Sequence, residues 1–287
     1  MKKRLLVLLL TLVCLTGCSN KDKEDNLAKK IDINYNQTSE SYVEGEDNQY
    51  FFAEINSPVK IDNGYYFIER NSSIINFYDT KQNLTVALCN QPNCNHEDNF
   101  CNAYLENFDF EMEYYSGHLY LIGYSKDDSS VWLYRFSTDG SERKKLCKLY
   151  SATELEHYCN WTLHRGYVYY TIPDYNLSEH TSKLYRVALE PNAKSEEIFS
   201  FDNIGGNISG IKAYGNNVYF QNCTYADLDA NGYTGDICKY DIINNNVEVV
   251  KKDSWRAFAV VANDLYYDNG SEVMKYNIQT KVENLFY

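Results

Sequence analysis

Apolar and polar positions alternate along most of the chain in short runs, and the runs recur. A turn followed by an aromatic strand occurs as Asn63-Gly64-Tyr65-Tyr66-Phe67, Ser116-Gly117-His118-Leu119-Tyr120 and Arg165-Gly166-Tyr167-Val168-Tyr169. It returns as Asn216-Asn217-Val218-Tyr219 and Asn263-Asp264-Leu265-Tyr266. Between the last aromatics of successive units the steps are 53, 49, 50 and 47 residues. Each unit predicts a second strand, near residues 74–78, 132–136, 183–187, 237–240 and 273–276. Polar turns such as Ser137-Thr138-Asp139-Gly140-Ser141 follow, and then closing strands near 85–88, 145–149, 197–201, 247–250 and 282–286. A leading strand precedes each aromatic turn, as in Trp161-Thr162-Leu163 and Phe258-Ala259-Val260-Val261.

Four short antiparallel strands in every fifty or so residues is the grammar of β-propeller blades. A sandwich would lack the long period, a solenoid would have shorter units, and no segment holds a 3.6-residue apolar period over eleven residues. The expected fold is therefore all-β, a propeller of about five four-stranded blades near 57–90, 106–150, 157–201, 207–251 and 254–287. Gln49 to Ile55 supplies either a strand that closes the last blade or the remnant of a sixth.

The N-terminus follows a different pattern. Lys2, Lys3 and Arg4 precede an apolar run, Leu5 to Val13, that is too short to span a bilayer comfortably. The run leads into Leu15-Thr16-Gly17-Cys18, which looks like a bacterial lipobox. Residues 1–17 then read as a cleaved lipoprotein signal peptide, and Cys18 as the acylated first residue of the mature chain. Two acyl chains would anchor it stably, at about 0.8 kcal/mol per buried methylene. The expected location is the outer face of the cytoplasmic membrane. Residues 18–48 are polar, without a sustained apolar period, and read as a flexible tether to a propeller domain over 49–287.

Charge narrows the partners. The net charge is −13, and loss of the three signal-peptide cations takes the mature chain to −16. This argues against nucleic acid and against adhesion to anionic headgroups, and makes basic or neutral ligands and cations the better fit. Tyrosine is abundant, with 28 residues, and in a β protein it serves first in packing and then as an amphipathic contact surface.

The repeats, the lipobox and the segment Leu88-Cys89-Asn90-Gln91-Pro92-Asn93-Cys94-Asn95-His96 together carry a resemblance. They look like uncharacterised Gram-positive lipoproteins with a β-propeller domain of unknown function, similar to the propeller of low-density-lipoprotein-receptor-related proteins. The resemblance implies a fold and a location, and no activity to carry over.

The sharpest local chemistry is Cys89-x4-Cys94-x-His96-x4-Cys101, between the first two blades. Three thiols and an imidazole within thirteen residues have the composition of a Cys3His zinc site. Outside the cell, two of the three cysteines could instead pair as a disulfide, and spacing alone does not choose. Cys223 with Cys238, and Cys147 with Cys159, are further candidate pairs, against a reading as buried core thiols. Asp227, Asp229 and Asn231, followed by Gly232, match the opening of a calcium loop. Cys238 stands where that loop needs its bidentate Glu, and an Asp/Asn/Gly-rich turn explains the same residues.

An enzyme of this architecture would place carboxylates from different blades around the channel. Only blade two offers several on its inner strand, Asp109, Glu111 and Glu113, with Asp62 a marginal partner from blade one. Lys60, His164, Lys212 and Arg256 are the other charged channel candidates, while His118, His157 and His180 read as turn or solvent-facing residues. The primary reading is a non-catalytic platform that binds a protein, peptide or glycan, with Trp161, His164, Trp255 and Arg256 as contact candidates. The alternative is a carbohydrate-active or other hydrolytic propeller.

Overall fold

A computed structural model of the chain describes residues 41–43, 47, 58–69, 73–152, 159–172, 181–202, 206–224, 234–255 and 258–287. Cys18, Asp227, Asp229, Asn231, His157, His180 and Arg256 lie outside the described residues.

Among the described residues, twenty strands form five four-stranded antiparallel sheets, each a simple meander in chain order. The first blade is β1 (Val59–Ile61), β2 (Gly64–Glu69), β3 (Ile74–Asp79) and β4 (Leu84–Ala87). The second is β5 (Phe108–Tyr115), β6 (His118–Ser125), β7 (Ser130–Ser137) and β8 (Arg143–Ser151). The third is β9 (Trp161–His164), β10 (Tyr167–Thr171), β11 (Thr181–Ala188) and β12 (Glu196–Asp202). The fourth is β13 (Gly206–Tyr214), β14 (Asn217–Thr224), β15 (Thr234–Asp241) and β16 (Asn246–Trp255). The fifth is β17 (Phe258–Val261), β18 (Asp264–Asp268), β19 (Val273–Asn277) and β20 (Glu283–Leu285).

The strand period of two explains how the blades stack. In β6, Leu119 and Leu121 enter the cluster shared with blade one, while Tyr120 and Ile122 enter the one shared with blade three. In β10, Val168 and Tyr170 face blade two and Tyr169 faces blade four. In β14, Val218 and Phe220 pack toward blade three and Tyr219 toward blade five. Successive side chains point to opposite faces, so a central strand buried on both faces must be apolar throughout. That is why the aromatic strands carried the repeat. At the periphery, β4 and β20 are largely exposed and polar or short.

The turns are equally specific. Ser116-Gly117 and Arg165-Gly166 each join an inner strand to the next, with positive φ at both residues (49° and 81°, 44° and 81°). This is the type I′ pattern, whose twist suits a two-residue hairpin. At the β3–β4, β15–β16 and β19–β20 turns, Asp79, Asp241 and Asn277 accept backbone N–H groups two or three residues ahead. Asn83, Asn245 and Lys281 then take positive φ, closing each turn in the same way.

Two boundaries shift from the sequence reading. The fourth strand of blade four runs on to Trp255, which pairs with Thr234. Trp255 therefore ends an outer strand instead of opening the inner strand of blade five, which begins at Phe258. Asp47, assigned by composition to the tether, bridges to His164 and is buried inside the domain.

Candidate functional site

Three places hold groups that could carry chemistry. The first is the segment from Leu88 to Leu105 that links blades one and two. Its C-terminal part docks on β3, where Ile75 N donates to Ala103 O and Leu105 N donates to Ser73 O. Its N-terminal part lies on the β7–β8 turn, so closely that a Cβ on Gly140 would sit 2.6 Å from the Leu88 carbonyl carbon and the Cys89 nitrogen. Gly140 also has φ +73°, so glycine is required there on both counts. Asn102 Nδ2 donates to Gly140 O at 2.9 Å and ties the two ends of the segment to the same turn.

This folding brings Cys89, Cys94, His96 and Cys101 together, with their ligand atoms all within 4.8 Å of one another. His96 Nδ1 lies 3.2 Å from Cys101 Sγ. Asn93 and His96 both hold positive φ, a conformation uncommon away from glycine. All three thiols are free. Burial pushes the Cys101 thiol up to about 12. Burial also works to raise Cys89, but the Gln91 N–H and the neighbouring thiols outweigh it and hold Cys89 below its ordinary value.

The candidate disulfides elsewhere do not form. Cys147 and Cys159 are not joined by a disulfide and pack in the core between blades two and three, where burial alone lifts the Cys147 thiol to about 12. Cys223 and Cys238 lie on adjacent strands but out of register, opposite Gly235 and Phe220 respectively. All four are buried core thiols.

The second place is the inner face of the blades. Glu111, Glu113, Trp161 and Lys212 line a cavity of only about 80 Å³. Glu113 is 1% exposed and accepts a hydrogen bond from Leu163 N at 3.0 Å. Burial pulls the Lys212 ammonium below its ordinary value, opposed by Glu113 and Glu111. Asp62 is exposed in the β1–β2 turn, so the acidic pair at this cavity, Glu111 with Glu113, comes from one strand. Two carboxylates on one side of a small cavity do not flank a glycosidic bond. Trp161 and His164, expected as contact residues, are 3% and 0% exposed. They are packed into the interior, Trp161 at the wall of the small cavity, and neither presents an outer surface. His118 is half-buried at the start of β6, its Nδ1 3.1 Å from Ser116 O, and burial lowers its pKa.

His164 belongs to a buried polar cluster that the sequence did not announce. Arg165 Nε donates to Asp47 Oδ1 at 2.6 Å and its Nη2 to Asp47 Oδ2 at 3.1 Å, a forked pair. Arg165 Nη1 reaches Asn216 Oδ1 at 2.8 Å and Nη2 also reaches Ser41 O. Asp47 Oδ2 accepts further from Val43 N and Gly215 N. His164 Nε2 donates to Gly215 O at 2.7 Å, which fixes the tautomer and leaves Nδ1 without a hydrogen bond, 3.8 Å from Asp47 Oδ1. Burial pulls the His164 pKa down to about 4, Asp47 and the Gly215 carbonyl oppose it, and Arg165 adds to it. The cluster fastens Ser41, Val43 and Asp47 to blades three and four.

The third place is a cleft of about 360 Å³ beside the linking segment. Phe108 and Tyr134 form its buried floor, their rings 4.6 Å apart, and Tyr124, Glu106, Arg143 and Lys145 line its sides. Arg143 donates to the carbonyls of Tyr104 and Asn99. Lys145 Nζ donates to Ser125 Oγ at 2.6 Å and lies 5.3 Å from the Trp132 ring. Among the described residues neither cation has a carboxylate within ion-pair distance. The signal in the sequence was Tyr134 directly opposite Lys145 on neighbouring strands, visible only once the register was known.

Five meandering sheets stacked face to face decide the architecture. The fold is a β-propeller. Among solved structures the chain is similar to an oligogalacturonate lyase in complex with manganese, at a TM-score of 0.56 and 7% identity. The match covers 83% of this chain and 64% of the lyase chain, so this chain spans under two thirds of that protein. It is also similar to a chain of a nidogen/laminin complex, at a TM-score of 0.47 and 11% identity over 81% of each chain. No protein-family model and no curated protein sequence matches the chain.

Proposed function

We propose that the protein is a lipid-anchored, extracytoplasmic lipoprotein whose propeller is a non-catalytic platform that binds an anionic ligand in the cleft on blade two. The observation that carries this reading is the contrast between the two concavities. Ligand pockets run from about 300 to 1,000 Å³. The cleft, at about 360 Å³, falls in that range, while the inner cavity with Glu111 and Glu113, at about 80 Å³, does not. Lys126, Arg143 and Lys145 against Glu106 and Asp127 leave the cleft net positive on a net negative chain, and cations beside aromatic rings suit a carboxylate next to a flat or apolar face, as in an acidic glycan. The oligogalacturonate lyase shares the fold alone and supplies no catalytic argument.

Binding is tested by calorimetric titration of an acidic oligosaccharide, with an acidic peptide as comparison. Lys145 is exposed and its charge interaction is worth about 1.5 kcal/mol, so Lys145→Ala weakens binding about tenfold at an unchanged melting temperature. Equal affinity in the variant would remove the cleft from the account.

The anchor rests on Lys2-Lys3-Arg4, the apolar run and Leu15-Thr16-Gly17-Cys18. In cells of the source type, Cys18→Ser moves the chain from the membrane fraction to the soluble fraction and abolishes incorporation of a labelled fatty acid. Retention of label by the variant would contradict lipidation at Cys18.

A further inference from the structure

We propose that Cys89, Cys94, His96 and Cys101 bind one zinc ion, and that this ion locks the linking segment between blades one and two. Three observations converge on the site. The four donor atoms lie within 4.8 Å of one another. Zinc–sulfur bonds of about 2.3 Å in a tetrahedron set ligand atoms about 3.8 Å apart, so the cluster closes on an ion by contracting less than about 1 Å. The donor set is also right: soft thiolates with one imidazole select zinc over oxygen-seeking cations such as calcium or magnesium.

Finally, His96 takes a left-handed backbone conformation (φ 59°) while its Nδ1 stands 3.2 Å from Cys101 Sγ. A disulfide between any two of the three cysteines would leave the third thiol and the imidazole converging on nothing. An ion uses all four. The thiols bind as thiolates, and up to three protons leave to solvent as the ion enters.

The structural consequence follows from what the segment touches. Cys89 sits just beyond β4, Ala103 and Leu105 dock on β3, and Asn99 and Tyr104 are held by Arg143 of β8. Asn99, Glu106 and Arg143 also line the cleft. The ion thus fixes one wall of the cleft and ties blade one to blade two. All four ligands lie on one segment, as in compact zinc loops.

The test uses the full mature chain with Cys18→Ser, purified without chelators from the extracytoplasmic compartment. Elemental analysis should find one zinc per chain, and cobalt exchange should give the thiolate charge-transfer absorption of a tetrahedral site. Chelation should lower the melting temperature by about 5 °C or more, restored by added zinc. His96→Ala should lower zinc occupancy at least tenfold, and His96→Cys should retain it, which separates ligation from simple misfolding. Mass spectrometry after alkylation of the native protein distinguishes the rival. A disulfide among Cys89, Cys94 and Cys101, or metal content below about one tenth per chain, overturns the proposal.

Discussion

Replacement of Asp47 by Ala lowers the melting temperature by about 10 °C. Asp47 supplies both oxygens of the forked pair with Arg165, whose side chain is 2% exposed. Arg165 also holds φ 44° in the turn between β9 and β10, so it cannot swing out without remaking that turn. Loss of one partner of a buried ion pair costs about 3–5 kcal/mol, because the remaining charge stays buried without compensation. A guanidinium cannot shed its charge by losing a proton, which makes this direction of truncation the harsher one. In a domain of this size each kcal/mol shifts the melting temperature by about 2–4 °C. Arg165→Met combined with Asp47→Ala should recover much of the loss, since the pair together adds little net stability. Calorimetry of the two variants beside the unaltered chain decides the point, and a drop under about 2 °C in Asp47→Ala would show that Asp47 is not paired with Arg165 as described.

The same cluster makes the domain acid-sensitive below neutral pH. His164 is neutral in the fold, with a pKa near 4 against about 6.5 in the unfolded chain. The unfolded state therefore binds a proton that the folded state refuses between these values. Stability from His164 is fully present above about pH 6.5, falls as pH drops, and is lost by about pH 4, amounting to about 3 kcal/mol. In His164→Gln the titrating group is gone while a donor toward the Gly215 carbonyl remains. Urea unfolding at pH 8, 6.5, 5 and 4 should show the stability gap between wild type and variant shrinking across this window. A gap that is constant with pH would mean that His164 keeps its ordinary titration in the fold.

The fold was legible because propeller blades write their geometry into the sequence several times over. Val168-Tyr169-Tyr170 and Val218-Tyr219-Phe220 are apolar at every position since both faces of those strands are covered. The polar turns after β3, β15 and β19 repeat one side-chain-to-backbone solution. Nonlocal chemistry was not legible in the same way. Asp47 and Arg165 are 118 residues apart and have no shared period. Trp161 and His164 looked like contact residues because aromatic and imidazole side chains serve equally in cores and in binding surfaces, and only packing separates the two. The cysteine–histidine segment stood out because its four donors are close in sequence. The cleft did not, because Phe108, Tyr134 and Lys145 meet only after β5, β7 and β8 have paired.

The central claim is that this propeller binds and does not cleave. The most direct measurement is titration of an acidic oligosaccharide into the Cys18→Ser chain, with chromatography of the ligand recovered from the same samples. The account predicts saturable one-to-one binding, full affinity in Glu113→Gln, and oligosaccharide recovered intact. Shortened oligosaccharide whose appearance is abolished by Glu113→Gln would contradict it.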